Sequence, residues 1–219
     1  MLELWHCADA RSFRPLWMLE EMGLPYKLHL LPFPPRYLEP AFLERNPLGT
    51  IPWFEDSSTQ GAPQCLSESS AILHYLVERH GPTPLALPAT DPDYGAYINF
   101  LFQSDATFTF PQTITLRYRL FEKPENRQPK VADDYAKWFL ARMRWVERHL
   151  SNGRDWLVAG RFTAADIAVG YACLLAGHLN QFADLGPSTR AWWARCEARD
   201  GYQRAKAGQA GQANFLSGR

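Results

Sequence analysis

About a third of the way along the chain, Gly81-Pro82-Thr83-Pro84-Leu85-Ala86-Leu87-Pro88-Ala89-Thr90 carries three prolines in ten residues. Each proline fixes φ and removes a main-chain donor, so this run can continue neither a helix nor a central strand. It reads as a stiff linker. The pattern on its two sides differs, and that difference sets the plan: a mixed α/β domain over residues 1–80, the linker 81–90, an all-α domain over 91–205, and a Gly/Ala/Gln-rich tail over 206–219 expected to be mobile.

Before the linker, residues 2–6 form a short apolar strand candidate. A helical pattern follows from Ser12 to Met22, with Gly23 suited to a left-handed stop and Pro25 blocking continuation. Tyr26–Leu31 reads as a second strand, so strand–helix–strand gives a parallel crossover. Pro32-Phe33-Pro34-Pro35 excludes regular structure, and residues 40–45 suit a short helix. Strands are expected after Pro52 and over Gln64–Leu66, with a turn at 57–63 between them. Ser67-Glu68-Ser69-Ser70 precedes a helix ending near His80. The expected sheet is four-stranded and mixed. After the linker, the run from Tyr94 to about Tyr118 is helical with a bend at Pro111. Further helices are expected over 131–150, from Thr163, and over 188–198.

Charge narrows the function. Lys+Arg and Asp+Glu both number 23, so no net positive field favours nucleic acid. No apolar run approaches bilayer length, and Met1–His6 lacks a basic segment leading into an apolar one. A cytoplasmic protein with neither membrane nor nucleic-acid partner is expected. Cys7, Cys65, Cys173 and Cys196 form no CxxC pair and no zinc-spaced cluster with histidine, so no metal is expected.

Three local features carry chemistry or direct folding. In Thr50-Ile51-Pro52, a cis Ile51–Pro52 bond would turn the Ile51 N–H and C=O outward, where an extended peptide could pair as an added strand. An ordinary trans proline at a strand edge is the alternative. At Glu68-Ser69, a helix start offers N–H groups and partial positive charge to a carboxylate, with the Ser69 hydroxyl as a further donor and Glu68 suited to an ammonium. Together they match an α-amino-acid end, whereas plain helix capping explains the same residues. In Phe162-Thr163-Ala164-Ala165-Asp166-Ile167, Thr163 and Asp166 form a capping box flanked by a hydrophobic staple, which is structural.

In this order and spacing, the segments Arg14–Tyr26, Asn46–Pro52 and Glu68–Leu76, with the capping box, resemble the glutathione S-transferases, most closely the bacterial and fungal members outside the well-known animal classes. The resemblance spans about residues 1–205. It implies a thioredoxin-like domain and a helical bundle domain, glutathione as co-substrate, an apolar electrophile as second substrate, and a homodimer. Carried over, Pro52 is the cis-proline, Ile51 holds the cysteinyl backbone of glutathione, and Glu68 with Ser69 holds its γ-glutamyl end. Thr50 stands where the family commonly has Lys.

Such enzymes stabilise the glutathione thiolate, the attacking species. Lowering a thiol pKa of about 8.5 by two units takes roughly 2.7 kcal/mol. The serine often used for this is replaced by Ala10. Ser12, at the start of the first helix, is the candidate hydroxyl, with Arg11 assisting; Arg11 aligns with the cysteine of the cysteine-type bacterial enzymes. Cys7 could instead form a mixed disulfide with glutathione, giving a thiol–disulfide reductase or peroxidase. A non-catalytic binding or scaffold protein is the third reading. Phe108, Phe110, Leu116 and Tyr118 are candidates to line the electrophile pocket, although aromatic residues at helical spacing also build cores.

Overall fold

The computed structural model describes residues 1–217 and divides into two compact units. Of the described residues, one unit comprises Met1–Thr83 together with 198–217, and the other comprises Pro84–Glu197.

The first unit is built on a four-stranded mixed sheet in the order β2-β1-β3-β4. Its strands are β1 (Leu2–His6), β2 (Tyr26–Leu30), β3 (Trp53–Asp56) and β4 (Gln64–Leu66). β1 runs parallel to β2 and antiparallel to β3, and β3 is antiparallel to β4. α1 (Phe13–Met22) is the crossover that a parallel β1–β2 pair requires. Gly23 ends it at φ 62°, the left-handed conformation expected of that glycine. α4 (Ser69–Arg79) follows β4 and packs against α1. Leu4, Phe54, Leu16, Met18, Leu19, Ile72, Leu73 and Leu76 are fully buried and form the core of this unit.

Two short helices, α2 (Pro35–Leu38) and α3 (Phe42–Arg45), connect β2 to β3. The proline run argues against regular structure, yet Pro35 opens α2. The first helical position needs no N–H, so a proline is tolerated there. Phe33–Pro34, Ile51–Pro52 and Gly81–Pro82 are cis peptides.

In the second unit, α5 (Tyr94–Gln103) passes into a π-helical turn over Ser104–Thr109, then α6 (Phe110–Leu116), then a second π turn over Arg117–Phe121. Pro111, where a bend is expected, lies in the first turn of α6 directly after the π turn. The Thr109 hydroxyl donates 2.6 Å to the carbonyl of Ser104, five residues back. α7 (Pro129–Leu150), α8 (Ala164–His178) and α9 (Pro187–Glu197) complete the unit. The capping box is present: Ala165 N–H donates to Thr163, and Thr163 N–H donates to Asp166. Asp166 is fully buried and also accepts from Leu157 N–H and Trp192 Nε1. Phe162 and Ile167 are both buried, as a staple requires. No helix among the described residues is long and apolar enough to cross a membrane.

The C-terminal segment departs from the sequence expectation, which assigns residues 198–205 to the helical domain and 206–219 to a mobile tail. Instead α10 (Asp200–Gly208) packs on α1. Tyr202 meets Phe13 and Trp17 edge-on, with ring centroids 5.4 and 5.1 Å apart. Arg199 grips Glu21 through two 2.8 Å hydrogen bonds, and Arg204 donates to Glu20. Beyond the helix Gln209 and Phe215 are buried, and Phe215 meets Phe33. Burying large apolar and aromatic surface outweighs the flexible composition around it. Residues 218 and 219 of the expected tail lie outside the described residues.

Candidate functional site

Strand register gathers three of the singled-out segments at one end of the sheet. Trp5 pairs with Trp53 and Phe54 with Leu66. The loop leaving β1 (residues 7–12), the residues entering β3 (50–52) and the residues leaving β4 (67–69) therefore share that end.

α4 begins there. Glu68 is its N-cap residue, extended in backbone and exposed, and its side chain makes no capping bond. Ser69 is buried, and its hydroxyl accepts a 2.9 Å hydrogen bond from Arg14 Nη1. Arg14 lies in the first turn of α1 and is itself fully buried. A guanidinium in that position costs several kcal/mol unless partnered, so the α1–α4 junction is built around a fixed positive charge. That charge and the positive end of the α4 dipole both favour an anion at the start of α4. The sequence places Arg14 within a motif without assigning it this role.

The approach to β3 is shaped by Asn46, which is also buried. Its amide donates 2.7 Å to the carbonyl of Thr50, and its Oδ1 accepts from Leu48 N–H at 3.1 Å. Gly49 sits at φ 60°, and a Cβ there would come within 2.8 Å of Arg36 Cβ and 2.9 Å of Leu43 Cδ2. Only glycine fits both demands. Among the described residues no hydrogen bond reaches the Ile51 main chain, so its N–H and C=O are available to an added strand. Thr50 is exposed and Pro52 is buried.

In the loop after β1 the candidates separate. Ser12 is fully buried, and its hydroxyl is committed to residue 7: it donates to the Cys7 carbonyl at 3.3 Å and accepts from Cys7 N–H at 3.2 Å. It staples the loop rather than presenting a donor outward, which corrects the expectation of a thiolate-activating hydroxyl. Nor does Ser12 cap α1 with its side chain. Cys7 is buried, and its thiol donates to the carbonyl of Pro32 at 3.6 Å. Burial pushes that thiol up to about 12, so it is a poor nucleophile at neutral pH. Arg11 is only half-buried, and Ala10 is buried.

The residues expected to line the electrophile pocket all lie in the second unit. Phe108 is sealed in the core and Leu116 is nearly so, which removes them from an accessible lining. Phe110 is exposed and meets Tyr135 with centroids 6.2 Å apart, while Tyr118 lies half-buried under the Arg117 guanidinium. Phe108 lies in the π turn over Ser104–Thr109, and helical spacing alone does not separate a core position there from a pocket one. Among the described residues no group of His, Cys, Asp and Glu is arranged to hold a metal.

Residues 10–79 match the family model of the glutathione S-transferase N-terminal domain. The chain is 25% identical over 183 residues to glutathione S-transferase 1 of Saccharomyces cerevisiae, covering 76% of this chain and 77% of that protein. It is 35% identical over 83 residues to glutathione S-transferase 3 of Schizosaccharomyces pombe, a match spanning 38% of this chain and 32% of that one. The crystal structure of a glutathione transferase from Burkholderia graminis, with two glutathione molecules bound per subunit, superposes with a TM-score of 0.81 at 26% identity. That match covers 96% of this chain and 89% of the other. The ordered motifs, the mixed sheet and these likenesses together identify residues 10–79 as a glutathione S-transferase N-terminal domain, in a chain that is similar over most of its length to glutathione transferases of bacteria and fungi.

Proposed function

We propose that the protein binds glutathione at this end of the sheet and transfers it to an apolar electrophile. The observation that carries this reading is the buried Arg14–Ser69 pair beneath the start of α4. It supplies charge and a hydroxyl for the γ-glutamyl carboxylate, while exposed Glu68 faces the ammonium on the same carbon. The Ile51 main chain takes the cysteinyl residue as an added strand. Glutathione bound to the Burkholderia graminis relative supports the same assignment here.

Chemistry begins with loss of the thiol proton to solvent. The thiolate attacks the electrophile, a carbon–sulfur bond forms, and the leaving group departs with its electron pair. Since the Ser12 hydroxyl is committed elsewhere, thiolate stabilisation falls to the N-terminal end of α1 and to Arg11. The protein acts as a homodimer in the cytoplasm, in detoxification, without a metal.

A reductase acting through Cys7 is disfavoured by the burial of that thiol. A non-catalytic glutathione-binding protein is the rival favoured by an observation, namely Ala10 with Ser12 turned inward. Ultraviolet difference absorbance of bound glutathione at neutral pH separates the two. A thiolate band supports transfer, whereas tight binding without one leaves only the binding protein.

A further inference from the structure

The loop after β1 is held from the far end of the chain. Asp9 adopts φ 55°, a left-handed conformation that non-glycine residues rarely occupy without support. Gln209, just beyond α10, supplies that support. Its Oε1 accepts from Asp9 N–H at 3.1 Å, and its Nε2 donates to Asp9 Oδ1. The amide thus closes a ring with main chain and side chain of a single residue. The same Oε1 lies 2.9 Å from His6 Nε2. An amide oxygen cannot donate, so His6 must carry its proton on Nε2. Lys206, from the last turn of α10, donates 2.7 Å to Asp9 Oδ1. His6, Asp9 and Gln209 are all buried.

We infer that Gln209 is a positioning residue for the thiolate-stabilising loop: by fixing Asp9 in its left-handed conformation it sets where residues 10–12 and the N-terminal end of α1 point. The inference rests on the proposed glutathione transferase reading. It adds a contribution from a segment remote in sequence from both Ile51 and Ser69. Electrostatic stabilisation of a developing or resting anion depends steeply on donor placement, so displacement of this loop affects the thiolate more than it affects tripeptide binding.

The test uses Gln209→Glu, which sets a carboxylate against the Asp9 carboxylate, and the double variant Asp9→Asn/Gln209→Glu, in which the amide introduced at position 9 donates to the new carboxylate. S-methylglutathione, which has no thiol, measures binding alone. Turnover is read with 1-chloro-2,4-dinitrobenzene, and the apparent pKa of bound glutathione is read from thiolate absorbance. Gln209→Glu is expected to lower kcat about tenfold and raise the bound-thiol pKa by about one unit, with S-methylglutathione affinity within about twofold of wild type. The double variant is expected to restore both. Unchanged kcat and thiol pKa in Gln209→Glu, or losses that the double variant fails to restore, overturn the inference. If wild-type protein does not bind S-methylglutathione, the functional reading fails instead. Hydrogen exchange at the Asp9 and Ala10 amides then decides the latch: faster exchange in Gln209→Glu, reversed in the double variant, supports it, and unaltered exchange refutes it.

Discussion

The guanidinium of Arg14 and the hydroxyl of Ser69 meet at 2.9 Å, both of them buried, although 55 residues separate them in the chain. One lies in the first turn of α1 and the other opens α4, so this hydrogen bond ties two helix N-termini together. Arg14→Met keeps much of the volume and removes the charge. It is expected to weaken S-methylglutathione binding about tenfold, near 1.4 kcal/mol. Calorimetric titration checks this, with circular dichroism to confirm the fold; an unaltered Kd in a folded variant removes Arg14 from the binding site.

Thiol chemistry offers a sharp separation. Cys65 is exposed, whereas Cys7, Cys173 and Cys196 are buried. Native protein treated with a disulfide reagent is expected to label at Cys65 alone, and Cys65→Ser to abolish the fast phase. Cys7→Ser is expected to leave conjugation unchanged. A large loss of activity in Cys7→Ser would return the reductase reading to the front.

Acid stability follows from two groups in the first unit. Burial lowers the His6 imidazole to about 4, so the folded state holds it neutral while the unfolded chain protonates it near 6.5. Its contribution is present above 6.5 and is lost as pH falls from 6.5 to 4, by roughly 3 kcal/mol. Burial raises the Asp56 carboxyl, but hydrogen bonds from Ser58, Tyr75 and His80 outweigh it and leave the group at about 2. That second contribution, about 2 kcal/mol, fades as pH drops from about 4 to 2. Between pH 6.5 and 4 the His6 loss is opposed by Asp166, whose carboxyl burial raises to about 6, so that its protonation favours the folded state. Urea unfolding is therefore expected to show a clear decline only below about pH 4, where Asp56 protonates, and His6→Gln is expected to leave stability rising as pH falls from 6 to 4.

Asp166 gathers donors from Thr163, Leu157 and Trp192 at the start of α8. Burial raises its carboxyl, to about 6, against those hydrogen bonds, and an isosteric amide keeps an acceptor for the donors of only one of its two oxygens. Asp166→Asn sets an NH2 group against surrounding donors and is expected to cost about 3 kcal/mol, read as a lowered Tm. Glutathione affinity of the surviving folded protein should be unaffected.

Much of the architecture is written locally. Gly23 stops α1 and Thr163 with Asp166 opens α8, because those signals act over three or four residues. The end of the sheet proposed to bind glutathione is legible for the same reason, since each motif is contiguous and β-register brings the motifs together. What escaped depends on distant partners. Gln209 and Phe215 sit in a stretch whose composition suggests mobility, yet they meet His6, Asp9 and Phe33 about two hundred residues away. Ser12 stands where a helix cap or an outward donor would stand, and only the path of the loop shows its hydroxyl bonded to Cys7. Phe108 fits an α-helical pocket face, but it lies in the π turn and is fully buried.

The return of α10 to the sheet unit bears on how the protein is made. Phe13 and Trp17 receive Tyr202 only after the intervening helices have been synthesised. On the ribosome, α1 emerges early with that aromatic face bare, and it stays sticky until residue 202 clears the exit tunnel. A nascent chain stalled before that point is therefore expected to recruit chaperones that recognise aromatic surface.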